Sequence, residues 1–119
     1  MNFDLSDDAK TLKDAARKFL DARAGPAAAR RVMNDGATHD AQLWAEVVEQ
    51  GWPAARVPEA QGGLGLGADE ACVLAEEIGR SLAHVPLMSP LGAIEALLIA
   101  GTEAQQTHWL PKLASGEAV

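Results

Sequence analysis

Aromatic residues are nearly missing from this 119-residue chain: two Phe, three Trp and no Tyr, 4% in all. A core built from it must rest on Leu, Ile, Val and Ala. There is one cysteine, Cys72, so no internal disulfide can form, and with three scattered histidines it makes no zinc-binding spacing. No apolar run is long enough to span a bilayer. The start, Met1 to Leu5, is neither basic nor apolar enough for a signal or transit peptide. A reducing, cytoplasmic location is the default expectation, with no membrane partner. Positive charge is also scarce. The first 34 residues carry seven Lys/Arg against five Asp/Glu, but the rest carry three against twelve, within a net charge of −7. Such an acidic surface repels phosphate backbones, and the basic segment interleaves acids as a solvated helix face does; nucleic acid is not an expected partner.

What is present, 48% hydrophobic and 23% charged residues, suits one soluble globular domain spanning 1–119. Most of it reads as helix. Ser6, followed by Asp7 and Asp8, is a helix start, with a capping hydroxyl and acids at the positive pole. Leu5, Ala9, Leu12, Ala16, Phe19 and Ala22/Arg23 recur at helical spacing as its buried face. Gly25-Pro26 ends it, a short helix follows over 27–33, and Asn34-Asp35-Gly36 is a turn. Thr38 or Asp40 caps a third helix that buries Leu43, Trp44, Val47 and Val48 and stops at Gly51. Asp69-Glu70 open a fourth, with Ala71, Leu74, Ala75, Ile78 and Leu82 inward, Glu76, Glu77 and Arg80 outward, and Glu76 spaced to pair with Arg80. Pro86 and Pro90 break the pattern. From Leu91 to Ala100 only Glu95 is charged, which predicts a central helix covered on several sides, with Gly92, Ala93 and Ala96 allowing close approach. Gly101 ends it. Thr102 with Gln105 is a capping box for a last helix to about Lys112, kinked or restarted at Pro111. The fold class is therefore all-α, a bundle of five or six helices.

Between the third and fourth helices lies Val57-Pro58-Glu59-Ala60-Gln61-Gly62-Gly63-Leu64-Gly65-Leu66-Gly67. Proline and four glycines exclude helix here and predict a shaped loop with Leu64 and Leu66 as apolar pegs. Gly63 to Ala68 fits G-x-G-x-x-A on paper, but no strand precedes it and no second strand with an acid follows, so a dinucleotide cradle is not expected. There is no Gly-Lys-Ser/Thr for a Walker loop. No catalytic constellation is visible: Cys72 has no base beside it and reads as a packed, inert thiol, and Glu76-Glu77 reads as a solvated helix face. Glu59 suits a hydrogen bond to the loop amides, and Trp44, Trp52 and Trp109 read as core or interface anchors. The apolar bend at His84–Ser89 is the one stretch suited to lining a pocket, although His84 taken alone reads first as a capping or partly buried histidine near a helix end.

Gly51 and Trp52, Val57-Pro58-Glu59, Gly62-Gly63-Leu64-Gly65-Leu66, Glu76-Glu77-Ile78-Gly79-Arg80, Gly101-Thr102-Glu103-Ala104-Gln105-Gln106 and Trp109 to Glu117 together resemble the N-terminal helical domain of the flavin-dependent acyl-CoA dehydrogenases, in order and spacing. Gln61 departs from the pattern, where an aromatic residue is common. The resemblance implies α,β-dehydrogenation of an acyl-CoA thioester: a glutamate removes the α-proton, FAD accepts hydride from the β-carbon, and electrons leave through an electron-transferring flavoprotein. It places that glutamate in a C-terminal helical domain, and most FAD contacts in that domain and a middle β-domain, neither of which is in this chain. The chain alone is therefore expected to be inactive and to hold FAD weakly or not at all. Carried over by position, the end of the acyl tunnel falls on His84, Val85, Leu87 and Met88, and further on Leu91 and Gly92. The implied assembly is a homo- or hetero-oligomer with contacts mainly from the C-terminal domain. The same fold also serves relatives such as flavin monooxygenases, nitroalkane oxidases and partner subunits without the base, and a free-standing helical interaction module is a further reading.

Overall fold

The computed structural model describes residues 3–119; Met1 and Asn2 lie outside them. Six helices follow in order: α1 (Asp7–Arg23), α2 (Pro26–Asn34), α3 (Ala41–Glu49), α4 (Ala68–Ser81), α5 (Met88–Ala100) and α6 (Glu103–Ala114), with no strand among the described residues. The all-α expectation holds. Local chemistry sets the boundaries. The Ser6 hydroxyl accepts from the Ala9 amide at 3.1 Å. Asp40, rather than Thr38, caps α3, accepting from the Leu43 amide at 3.0 Å. Thr102 and Gln105 close a full capping box on α6. Gly51 follows α3 at φ 78°, a left-handed position that a β-carbon disfavours. Of the kink or restart expected at Pro111, the restart does not occur, since α6 runs through it to Ala114. The missing amide of Pro111 forgoes the bond that an ordinary residue there would donate to the Thr107 carbonyl.

α1 and α4 lie side by side. Their ion pairs rise together in sequence, Lys13 with Glu76, Arg17 with Glu77 and Asp21 with Arg80, so the two run in the same sense. α5 and α6 form an antiparallel pair across the short Gly101-Thr102 link, stitched by the Gln106 amide donating to the Leu97 carbonyl at 2.9 Å. The apolar residues form two cores. One gathers Ala16 and Leu20 of α1, Leu43, Trp44 and Val47 of α3, Leu74 and Ile78 of α4, with Leu87 and Leu91. The other joins Ile94 of α5 to Leu110, Leu113 and Ala114 of α6. The short turn after α3 partitions them: Trp52 and Ala55 enter the first, Ala54 and Val57 the second.

The glycine loop is folded back onto that turn. Leu64 N donates to Ala54 O at 2.9 Å, Leu66 N to Ala55 O at 2.7 Å and Gly65 N to Val57 O at 2.9 Å. Gly63 is pressed so close that a β-carbon there would lie 1.9 Å from the Val57 carbonyl oxygen. Leu66 is half-buried against the first core, whereas Leu64 remains about half exposed above Gly51. Glu59 is exposed and makes no side-chain bond to the loop amides, unlike the sequence expectation.

The molecule is a plate, 42 × 38 × 20 Å, about two helix diameters thick. That flatness corrects the expectation of α5 as a central helix covered on several sides. Pro90, Leu91 and Ile94 are buried, but Gly92, Ala93, Ala96 and Ala100 are exposed and Ile99 is 82% exposed. An apolar girth shows that a helix can be covered all round, not that this chain supplies the cover.

Candidate functional site

The bend between α4 and α5 is built by a left-handed stop. Leu82, at φ 54°, ends α4, and the amides of Leu82 and Ala83 donate to the carbonyls of Gly79 and Ile78. Leu82 is therefore turned outward, 54% exposed, and is not on the buried face where spacing put it. Val73, Leu74, Ile78 and Ser81 take that face, with Ala71 and Ala75 at its margin. His84 is anchored twice to the start of α3. Its carbonyl accepts from the Asp40 amide at 2.8 Å, and its Nε2 lies 3.0 Å from the Thr38 carbonyl, which as an acceptor fixes that nitrogen as the donor. Val85 is half-buried against the first core, and Leu87 is wholly inside it.

The six residues predicted to line a pocket separate into three places. Leu87 and Leu91 point into the core. His84 and Val85 line a shallow groove of about 300 Å³ with Thr38, His39, Ala83 and Pro86, open to solvent. Met88, 57% exposed, and Gly92 lie on the open side of α5. At about 100° per residue, Ile99 joins Met88 and Gly92 in one stripe. What this chain supplies is one apolar wall beside a bend, not an enclosed cavity. A second hollow of about 120 Å³ lies under the glycine loop, lined by Leu12, Trp52, Leu64, Leu66 and Leu74 among others.

Two charged features escaped sequence reasoning. Glu77 is completely buried, not solvated: Arg17 binds it through Nη2 at 2.8 Å and Nε at 3.1 Å, and Arg80 through Nε at 2.7 Å. The two hydrogen bonds from Arg17, with the one from Arg80, hold its carboxyl below the usual glutamate range. Arg80 also binds Asp21, and Glu76 binds Lys13, so the expected Glu76–Arg80 pair does not form. The position of Glu77, three and four residues from Leu74 and Val73, was the available signal. The other feature is Arg56, which binds Glu95 of α5 and donates to the Leu66 carbonyl at 2.8 Å. Cys72 is exposed, since it lies opposite the α4 core face. Trp109 is 45% exposed, an anchor at the surface and not in the core.

The architecture is an all-helical plate with a folded-back glycine loop and an apolar helix left partly uncovered. Residues 6–117 match the family model described as "Acyl-CoA dehydrogenase, N-terminal domain". The chain is 34% identical over 115 residues to (2S)-methylsuccinyl-CoA dehydrogenase of Cereibacter sphaeroides, covering 95% of this chain and 21% of that protein. It is 36% identical over 110 residues to the mitochondrial isovaleryl-CoA dehydrogenase of Arabidopsis thaliana, covering 90% of this chain and 27% of that one. Among solved structures, a variant of the Tcur3481–Tcur3483 steroid ACAD superposes with a TM-score of 0.76 at 34% identity, over 92% of this chain and 30% of that one. The chain belongs to the acyl-CoA dehydrogenase N-terminal domain family, and it spans about a fifth to a third of the length of these relatives.

Proposed function

We propose that this chain acts as the N-terminal domain of an FAD-dependent acyl-CoA dehydrogenase, catalysing α,β-dehydrogenation of an acyl-CoA thioester in fatty-acid or related acyl metabolism in the cytoplasm. Within it the chain forms one wall of the acyl-chain slot and is inactive alone. The observation that carries this reading is the open stripe of Met88, Gly92 and Ile99 beside the His84–Leu87 bend. Such a stripe suits an alkyl tail on one side and covering polypeptide on the other. His84 and Val85 would shape the end of the slot. Leu87 and Leu91 would act from behind, as the packed layer that keeps the wall in place.

FAD is assigned to polypeptide beyond this chain. Among the described residues no buried side-chain polar atom lacks a partner, so none waits for a flavin, and Arg56 beside the glycine loop is already engaged by Glu95 and Leu66. The electron acceptor would be an electron-transferring flavoprotein, and the working assembly a homo- or hetero-oligomer. The test compares this chain with its full-length protein. The full-length protein should retain FAD and bleach it on addition of acyl-CoA, whereas the 119-residue chain should do neither. FAD retained tightly by the short chain, or a full-length flavoprotein indifferent to every acyl-CoA, would overturn the proposal.

A further inference from the structure

One guanidinium ties the glycine loop to α5. Arg56 directs Nε and Nη2 to the two carboxylate oxygens of Glu95, the latter at 3.2 Å, and Nη1 to the Leu66 carbonyl at 2.8 Å. Neither partner is free in water: the Arg56 side chain is 23% exposed and that of Glu95 39%. Glu95 is the only Asp, Glu, Lys or Arg between Arg80 and Glu103.

That solitude matters for α5. An amphipathic helix is oriented by the contrast between its faces, and α5 has little contrast to offer. At about 100° per residue, its buried stripe of Leu91 and Ile94, continued by Leu87 just before the helix, is followed round the helix by a second uncharged stripe of Met88, Gly92 and Ile99. A rotation toward the second would exchange part of one for part of the other, and hydrophobic burial, which has no direction, opposes it only through the side-chain volume that Gly92 lacks. A charge does discriminate. Glu95 stands on the border between the stripes, and turning it inward would cost its solvation unless Arg56 followed. A polar pair within an apolar surface is a known way of fixing register.

We propose that Arg56 and Glu95 are positioning residues that set the rotation of α5 about its own axis, and so decide that Met88 and Gly92 face outward. Arg56 holds the far end of the glycine loop through Leu66 with the same group, so loop and helix are set together. The consequence for acyl recognition rests on the slot-wall reading above; the rotation itself is a property of this chain.

Thiol reactivity reads the rotation directly. In a Cys72→Ala background, single cysteines are placed by Ile94→Cys on the buried stripe and Ile99→Cys on the open one, and alkylated with N-ethylmaleimide, an uncharged probe. With the pair intact, position 99 should react at least about tenfold faster than position 94. Adding Glu95→Leu should bring the two rates within about threefold, with helix content by circular dichroism retained. Glu95→Gln, which keeps one acceptor for Arg56, should fall between. A ratio that Glu95→Leu leaves unchanged in a folded chain overturns the proposal, and if that variant does not fold, Arg56→Gln read the same way decides. In the full-length enzyme Glu95→Leu should reorder KM across acyl lengths more than kcat. A collapsed thiol ratio with the parent order of KM would overturn the acyl reading and leave the rotation standing.

Discussion

Single residues carry two sharp consequences. Gly63 and Gly92 are the same residue type in opposite situations. A methyl at 63 would overlap the Val57 carbonyl, whereas at 92 nothing lies within 4 Å. Gly63→Ala should therefore break the fold-back of the loop and destabilise the chain by about 3 kcal/mol or more. Gly92→Ala should stabilise it by about 0.5–1 kcal/mol, because alanine loses less entropy in a helix. Urea titration of the two variants checks both signs at once. Glu77 is the second case. Its carboxyl titrates below the ordinary glutamate value of 4.5 because Arg17 and Arg80 bind the charged form. A depressed folded value contributes stability that is complete above the unfolded value and fades as pH falls through the folded one. Glu77→Gln should cost about 1–2 kcal/mol at neutral pH, kept modest because both arginines are part-exposed. It should also flatten the acid limb of a stability–pH curve, measured by thermal melts from neutral pH downward. A variant as stable as the parent, with the acid limb intact, would contradict this account of Glu77.

Elements differ in how much of themselves is written locally. The starts of α1, α3 and α6 are legible because a cap and the amide it serves are three residues apart, as Ser6 with Ala9, Asp40 with Leu43 and Thr102 with Gln105. The glycine loop is legible for the same reason: proline and glycine act on their own backbone. Pairings across the fold are not. Arg17 and Glu77 are 60 residues apart, and Arg56 and Glu95 are 39 apart. Adjacent acids such as Glu76 and Glu77 look alike until a neighbouring helix covers one of them. The candidate site shows the same division. Its placement at the bend is an expectation from proline spacing and family likeness, and the separation of Leu87 and Leu91 into the core from Met88 and Gly92 on the surface follows from the rotation of α5, which neither supplies. The exposure of α5 is not legible at all, because an apolar girth states a need for cover without naming its source.

At the scale of the whole molecule, the plate leaves several large apolar side chains uncovered. Met88, Ile99 and Trp109 all stand open on α5 and α6. A free-standing interaction module would be expected to keep such a side covered, whereas a domain cut from a larger enzyme would not. The isolated chain should therefore self-associate with rising concentration in light scattering and enhance the fluorescence of an apolar dye. A strictly monomeric chain that leaves the dye dark would favour the module reading. The net charge of −7 opposes association, so the effect should grow as salt screens that repulsion.

The central claim is that the open side of α5 faces the acyl tail, with Met88 setting the room available. The most direct measurement is the acyl-length profile of the full-length enzyme carrying Met88→Trp or Met88→Gly. Met88→Trp should shift the preferred acyl chain shorter or less branched, and Met88→Gly should admit longer or bulkier ones, in each case through kcat/KM. A profile identical to that of the parent in both variants would contradict the claim.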